Sequence, residues 1–221
     1  MARSGRVSRP VPMSEFEESG LDSLATWLKS NQKLVSIITG GVVVLVLGVV
    51  VWKKSAETKI ENAERAFFQA QTATAQNPTT ATTELEKVAT RYAGTSAGDR
   101  AALLMAQSMM TAGKTPEAMK KLEALAADGG TKRLGSTLHT LMAAGYENQN
   151  RPSDAAKAYL AAAATSTGDA KAQRQADAAR AFMAAGNSTE AIKLWQELGK
   201  DERGPLASEA RVRLGELMVK Q

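Results

Sequence analysis

The hydrophobic pattern changes character once along the chain. Leu34 to Trp52 reads LVSIITGGVVVLVLGVVVW, 19 residues without a charge and without a polar face. At about 1.5 Å per residue a helix of this length covers roughly 28 Å, close to the hydrocarbon thickness of a bilayer. Lys33 precedes the run, Lys53 and Lys54 follow it, and Trp52 stands at its edge, as at a membrane interface. A core helix of a soluble domain is rarely apolar on every side before ending in Trp-Lys-Lys. A cleaved leader would be shorter, would start earlier and would be followed by small residues. The pattern therefore predicts an uncleaved transmembrane helix at 34–52.

From Lys53 onward the pattern becomes amphipathic with helical spacing, and it repeats. Gly113-Lys-Thr-Pro-Glu-Ala118, Asn150-Arg-Pro-Ser-Asp-Ala155 and Gly186-Asn-Ser-Thr-Glu-Ala191 align without gaps. Their alanines lie 37 and 36 residues apart, and each is followed four positions later by a bulky residue, Leu122, Tyr159 or Trp195. A fainter copy lies upstream, with Ala81 and Leu85 after Asn77-Pro78. Gly or Asn is suited to end a helix in the left-handed conformation. The Ser/Thr/Pro turn is suited to cap the next helix, whose first turn carries an acid that opposes the dipole. The small alanine permits a close helix crossing, and the large residue one turn later fills the space between hairpins. On the preceding helices Ala106 and Met109, Ala143 and Tyr146, and Ala179 and Phe182 repeat a small-then-bulky pair.

The spacing predicts helices over 56–76 with 79–92, 96–112 with 115–127, 133–149 with 152–165, and 169–185 with 188–199. A last helix at 204–219, after Gly204-Pro205, is expected to cover the apolar end of the stack. The expected fold is all-α: one N-terminal transmembrane helix, then a tetratricopeptide-like (TPR-like) right-handed array of about four helical hairpins and a capping helix, filling 53–221. No Gly or Pro intervenes between Trp52 and Pro78, so the span is expected to continue into the first repeat helix.

Ahead of the span, residues 1–14 (MARSGRVSRPVPMS) are basic and polar with little to bury, and are predicted to be disordered. In 15–33, Phe16, Leu21, Leu24, Trp27 and Leu28 recur at near-helical spacing. They predict an amphipathic juxtamembrane helix, lying on the bilayer or docking a partner. Within the span, Ser36 and Gly40, and Gly41 and Gly48, offer close-packing faces or are simply tolerated there.

Composition agrees with helix: aromatics make up 5% of the chain, too few for a sheet. With no cysteine among the 221 residues, disulfides, thiolate metal sites and a Cys nucleophile are excluded. The net charge of +5 is not a nucleic-acid footprint. From Ala56 onward, 21 Lys and Arg face 19 Asp and Glu, and the rest of the excess lies beside the membrane segment. Counted locally, flanking charge leans weakly toward a C-terminus inside, with Lys29 and Lys33 before the span and Lys53, Lys54, Lys59 and Arg65 after it, and Arg3, Arg6 and Arg9 bring it close to a tie. Charge alone leaves the orientation open.

No Walker loop, GxGxxG, HExxH or EF-hand motif occurs, and the single histidine, His139, has no triad or metal partners at a suggestive spacing. Glu84, Glu86, Asp201 and Glu202 read as solvated faces. An enzyme, a cofactor, a metal site and a small-molecule substrate are therefore not expected. In stacked hairpins the first helix of each pair lines the concave surface, where protein segments bind. By the repeat offsets, Arg100, Gln107 and Met110, then Thr140, Glu147 and Asn148, then Gln173, Arg180 and Met183, should point there. Met105, Met109, Met119 and Met142 fall at core spacing, whereas Met110 and Met183 are weighed between core and groove.

The segment GLDSLATWLKSNQKL, one span, and repeats containing GDRAALLMAQSMMTAGKTPEAMKKLEALA resemble the YfgM-like ancillary subunits of the SecYEG translocon. The likeness covers roughly 20–221. It implies a bacterial inner-membrane protein with its N-terminus in the cytoplasm and its repeats in the periplasm. It further implies association with the SecYEG translocon and with a periplasmic chaperone or prolyl isomerase, assisting newly translocated proteins. It supplies no catalytic residues. A scaffold or assembly subunit of another inner-membrane complex is the competing expectation.

Overall fold

The computed structural model describes residues 26–76 and 78–219. The expected disordered tail at 1–14, Phe16, Leu21 and Leu24 of the amphipathic segment, and Asn77 lie outside the described residues. The chain divides into two compact units, Met1–Glu57 and Thr58–Gln221.

In the first unit, a helical turn at 26–30 leaves Trp27 and Leu28 exposed. Helix α1 (Gln32–Gln76) begins here with the apolar stretch, and its residues from Thr58 on belong to the second unit. The apolar side chains from Leu34 to Trp52 contact little of the protein: Ile37 is 75% exposed and Val44 71%. By length and composition this is a helix able to cross a membrane.

In the second unit every described element is helical, and the hairpin boundaries fall close to their predicted places. After α1 come α2 (Pro78–Arg91), α3 (Ser96–Thr111) and α4 (Thr115–Leu125). Beyond the linker helix α5 (Thr131–Leu134) lie α6 (Ser136–Asn148), α7 (Pro152–Ala164), α8 (Gly168–Ala184) and α9 (Ser188–Gly199), and α10 (Ala207–Val219) ends the stack. Each hairpin's second helix packs on the next hairpin's first: α2 on α3 and α7 on α8, with α10 against α9.

The three repeat turns share one backbone device. Gly113, Asn150 and Gly186 have φ of 76°, 56° and 74°. At each, the amide of that residue reaches back three positions and the next amide five. Gly113 N donates to Met110 O and Lys114 N to Met109 O, at 3.0 and 2.8 Å. Asn150 N and Arg151 N donate to Glu147 O and Tyr146 O, both at 2.9 Å, and Gly186 N and Asn187 N to Met183 O and Phe182 O, at 3.0 and 2.9 Å. This is the Schellman closure, which satisfies carbonyls that would otherwise be orphaned at a helix end.

The starts of the second helices are less uniform than the sequence suggests. Only Asn187 caps with its side chain, accepting from Glu190 N at 3.3 Å. At α4 and α7 the preceding residues, Lys114 and Arg151, make no side-chain cap, and the proline in the first turn instead removes one N–H that would need a partner. The first-turn acids Glu117, Asp154 and Glu190 are present throughout.

The motif side chains are the core. Ala118, Ala155 and Ala191 are fully buried, as are Leu122 and Trp195, with Tyr159 nearly so. Leu85, at the matching place in the faint first copy, is also fully buried. One apolar cluster joins α6 to α10, a second joins α3, α4 and α6, and a third joins α1, α2 and α3.

The predicted helix 133–149 starts later, at Ser136. A widened turn at Ala126–Gly130, non-helical at Asp128 and Gly129, and the one-turn helix α5 precede it. The cap helix likewise begins at Ala207 and not at Gly204. It leaves Val212, Met218 and Val219 exposed on its outer side.

Candidate functional site

The first helices α3, α6 and α8 carry the residues predicted to form a groove, and the structure sorts them into three kinds. Some tie the helices to one another. Arg100 pairs with Glu64 of α1 and lies over the Phe67 ring, 4.7 Å from its centroid. Arg180 donates from Nε and Nη2 to both carboxylate oxygens of Glu209 on α10, at 2.9 and 2.6 Å. It also donates to Asp177 at 2.7 Å. Gln173 donates to the same Asp177 oxygen at 3.1 Å. The Arg180–Glu209 pair holds the guanidinium above its ordinary pKa and the carboxyl below its own, chiefly through those hydrogen bonds.

Others belong to the hairpin interior. Met110 is 8% exposed and packs in the core with Met119, a correction to its expected place on the groove. Met183 is half-buried, and its sulfur accepts from Trp195 Nε1 at 3.4 Å. Glu147, one repeat earlier, is exposed and not part of the interior, but its carboxylate accepts from the Tyr159 hydroxyl at 3.1 Å. Burial and the Glu147 charge together push the Tyr159 phenol well above its ordinary pKa. Asn148 is exposed at the end of α6.

Gln107 and Thr140 are the third kind, and they face one cleft. It is about 340 Å³ in volume and opens between α3 and α6. Leu103 joins Gln107 from α3, and Ser136, Thr137, Leu141 and Ala144 join Thr140 from α6. Arg174 of α8 also lines it, with Nη1 donating to Asp177 at 2.8 Å. The sequence reading missed these partners. Leu103 and Ala144 stand one turn from Gln107 and Thr140, a signal that was available. Ser136 and Thr137 enter only because α6 begins where the irregular linker ends.

That linker is held by an ion pair whose carboxylate is buried and whose guanidinium is partly solvated. Asp99, 3% exposed in the first turn of α3, receives Arg133 Nε at 2.6 Å and Nη2 at 3.0 Å. Arg133 Nη1 also donates to Asp128 O at 2.8 Å. The Asp99 bond raises the Arg133 pKa. Among the described residues no group of three or more His, Cys, Asp or Glu is placed to hold a metal ion, and His139 is half-buried on α6.

Stacked helix–turn–helix units closed by one recurring turn define a TPR-like scaffold, a fold that presents surfaces to other proteins. The chain belongs to the tetratricopeptide repeat-like domain family, whose model matches residues 25–197. Among solved structures it is similar to the nearly identical TPR-like repeats of a putative kinesin light chain from Podosopora anserina. The TM-score is 0.52 at 20% identity, over 73% of this chain and 84% of that one. That likeness is one of fold. No curated protein matches the sequence.

Proposed function

We propose that the protein is a membrane-tethered protein–protein interaction module that works beside the SecYEG translocon and assists the periplasmic folding of newly translocated proteins. The observation that carries this reading is a TPR-like stack in the same chain as a helix long and apolar enough to cross a bilayer. In this reading 34–52 is the span, 53–221 the repeat array, and the N-terminus is cytoplasmic. A tether of this kind raises the effective concentration of the repeats near a membrane channel, so weak contacts suffice. The partners would be translocon subunits and a periplasmic chaperone or prolyl isomerase, engaged through protein surfaces without a cofactor.

Affinity purification in mild detergent should recover translocon subunits above the level of an unrelated single-span control. Recovery at control level ends the translocon reading. A single stoichiometric partner outside the secretion machinery would instead favour an assembly subunit of another inner-membrane complex. A reporter fused after Gln221 should read out on the periplasmic side, and a cytoplasmic readout removes the premise.

A further inference from the structure

We propose that Ala126–Gly135 is a hinge dividing the repeat stack into two arms, and that the Asp99–Arg133 ion pair is the latch that holds the arms at one angle. One arm is α2, α3 and α4 with α1 from Thr58 on, and the other is α6 to α10. The inference goes beyond the translocon reading and does not depend on which partner the module takes.

Three observations place the hinge there. The connections from α2 to α3 and from α7 to α8 take residues 92–95 and 165–167, whereas α4 reaches α6 only through the longer Ala126–Gly135. Within it Gly129 and Gly135 have φ of 79° and 50°, and Asp128 is non-helical, so the path turns on residues whose backbone moves most freely. Second, α4 and α6 share a slighter interface than α2 with α3 or α7 with α8. Met109, Met110, Met119 and Met142 fill that joint, and their unbranched side chains can reshape as it moves. Third, each arm is braced within itself. Lys121 of α4 pairs with Glu86 of α2, and Arg180 of α8 with Glu209 of α10, both at 2.6 Å.

The latch follows from where Arg133 is anchored. Its Nε and Nη2 grip both carboxylate oxygens of Asp99 in the first turn of α3, and Nη1 holds Asp128 O. The linker through α5 is thereby fixed to the first arm, and Gly135 alone separates it from α6. Gly135 lies against the second arm, since a Cβ built on it would stand 3.5 Å from Thr165 Cβ at the end of α7. Without the grip of Arg133, the Asp99 carboxylate is a buried charge with no counter-ion, and conformations that return it to water are favoured. The cleft straddles the same boundary, with Leu103 and Gln107 on one arm and Thr140 and Ala144 on the other. Its volume of about 340 Å³ is therefore the latched setting, and a change of hinge angle changes it.

The chain has no cysteine, so introduced cysteine pairs carry spin labels at chosen places in the full chain in nanodiscs. Double electron–electron resonance then reads the distances. Lys120→Cys with Gln196→Cys spans the hinge. Thr90→Cys with Lys120→Cys, and Lys157→Cys with Gln196→Cys, each lie within one arm, and all these residues are exposed. The parent should give one narrow distance across the hinge. Arg133→Gln should raise a displaced cross-hinge population about tenfold above the parent, with the distances inside each arm unchanged. Arg133→Lys, which keeps the charge without the planar fork, should fall between the two. Circular dichroism checks that each variant is folded, and Asp99→Asn serves if Arg133→Gln is not. Cross-hinge distances that match the parent in a folded variant overturn the proposal. So do distances that broaden equally inside the arms, or a parent that is already broad across the hinge. None of these readings involves translocon subunits, so the hinge and the translocon reading fail separately.

Discussion

Gly145 shows how one residue sets the fit of two hairpins. It is buried on α6, and a Cβ built there would stand 2.2 Å from Met119 Sδ and 3.3 Å from Met110 Sδ. Methionine side chains are flexible, so the contact yields at a cost instead of forbidding the fold. Overpacking of this kind costs roughly 1–3 kcal/mol, while Gly→Ala in a helix returns about 1 kcal/mol of propensity. Gly145→Ala should therefore destabilise the repeat unit by about 1 kcal/mol in chemical denaturation. In a Met119→Ala background the closest contacts are gone and only the milder one with Met110 remains, so the same substitution should become neutral or stabilising by about 0.5 kcal/mol. An unchanged cost in the two backgrounds would show that Met119 is not what glycine accommodates.

Among the elements, the hairpins were legible in the sequence and the linker was not. Gly113, Asn150 and Gly186 mark helix ends because their φ values are ones other residues adopt only at a cost, a property written in residue type. The alanine and bulky positions follow from a fixed repeat. Ala126–Gly135 carries turn signals, but its path is held by Arg133 reaching Asp99, 34 residues earlier, and no local pattern encodes that. The cleft inherits the same difficulty, since two of its residues sit where the linker delivers the chain into α6. Arg133→Gln leaves the Asp99 carboxylate buried without its counter-ion. It should cost about 2 kcal/mol, toward the low side for a buried pair because Arg133 is partly solvated. Asp99→Asn combined with Arg133→Gln should cost less than the sum of the single substitutions. Strict additivity in denaturant titrations would mean the pair is not coupled.

The joint of α8 with α10 gives a prediction in pH. Glu209 has its folded pKa lowered, with the Arg180 hydrogen bond the first cause. Its contribution is therefore complete above the ordinary carboxylate pKa and is lost as pH falls through the lower folded value. Glu209→Gln should destabilise by about 1 kcal/mol at neutral pH, the scale of a partly exposed bidentate pair. The gap to the parent should persist down to the ordinary carboxylate range and close below it. A gap that stays constant into strong acid would assign the loss to packing.

For the repeat unit as a whole, stability is a sum of hairpins and the interfaces between neighbours, so it need not be uniform. The interface of α7 with α8 is the most extensive in the stack, and Ala155, Ala156, Ala176, Ala178 and Ala179 are fully buried around it. Closely approaching backbones there are braced by Tyr159, Phe182 and Trp195. The joint of α4 with α6 is slighter and filled by methionines around Gly145. Among the described residues α10 packs chiefly on α9, and it keeps Val212, Met218 and Val219 exposed. Local openings should follow this order. In hydrogen exchange, amides within α7 and α8 should be the slowest, those of α10 among the fastest, and the linker at Ala126–Gly135 should exchange before the helices on either side. Trp195→Ala, which empties the largest fully buried side-chain site, should cost about 3–5 kcal/mol. It should speed exchange in α8, α9 and α10 while leaving α3 and α4 nearly unchanged, because nearest-neighbour coupling does not reach that far. Uniform acceleration across every helix would show instead that the stack opens as a single cooperative body.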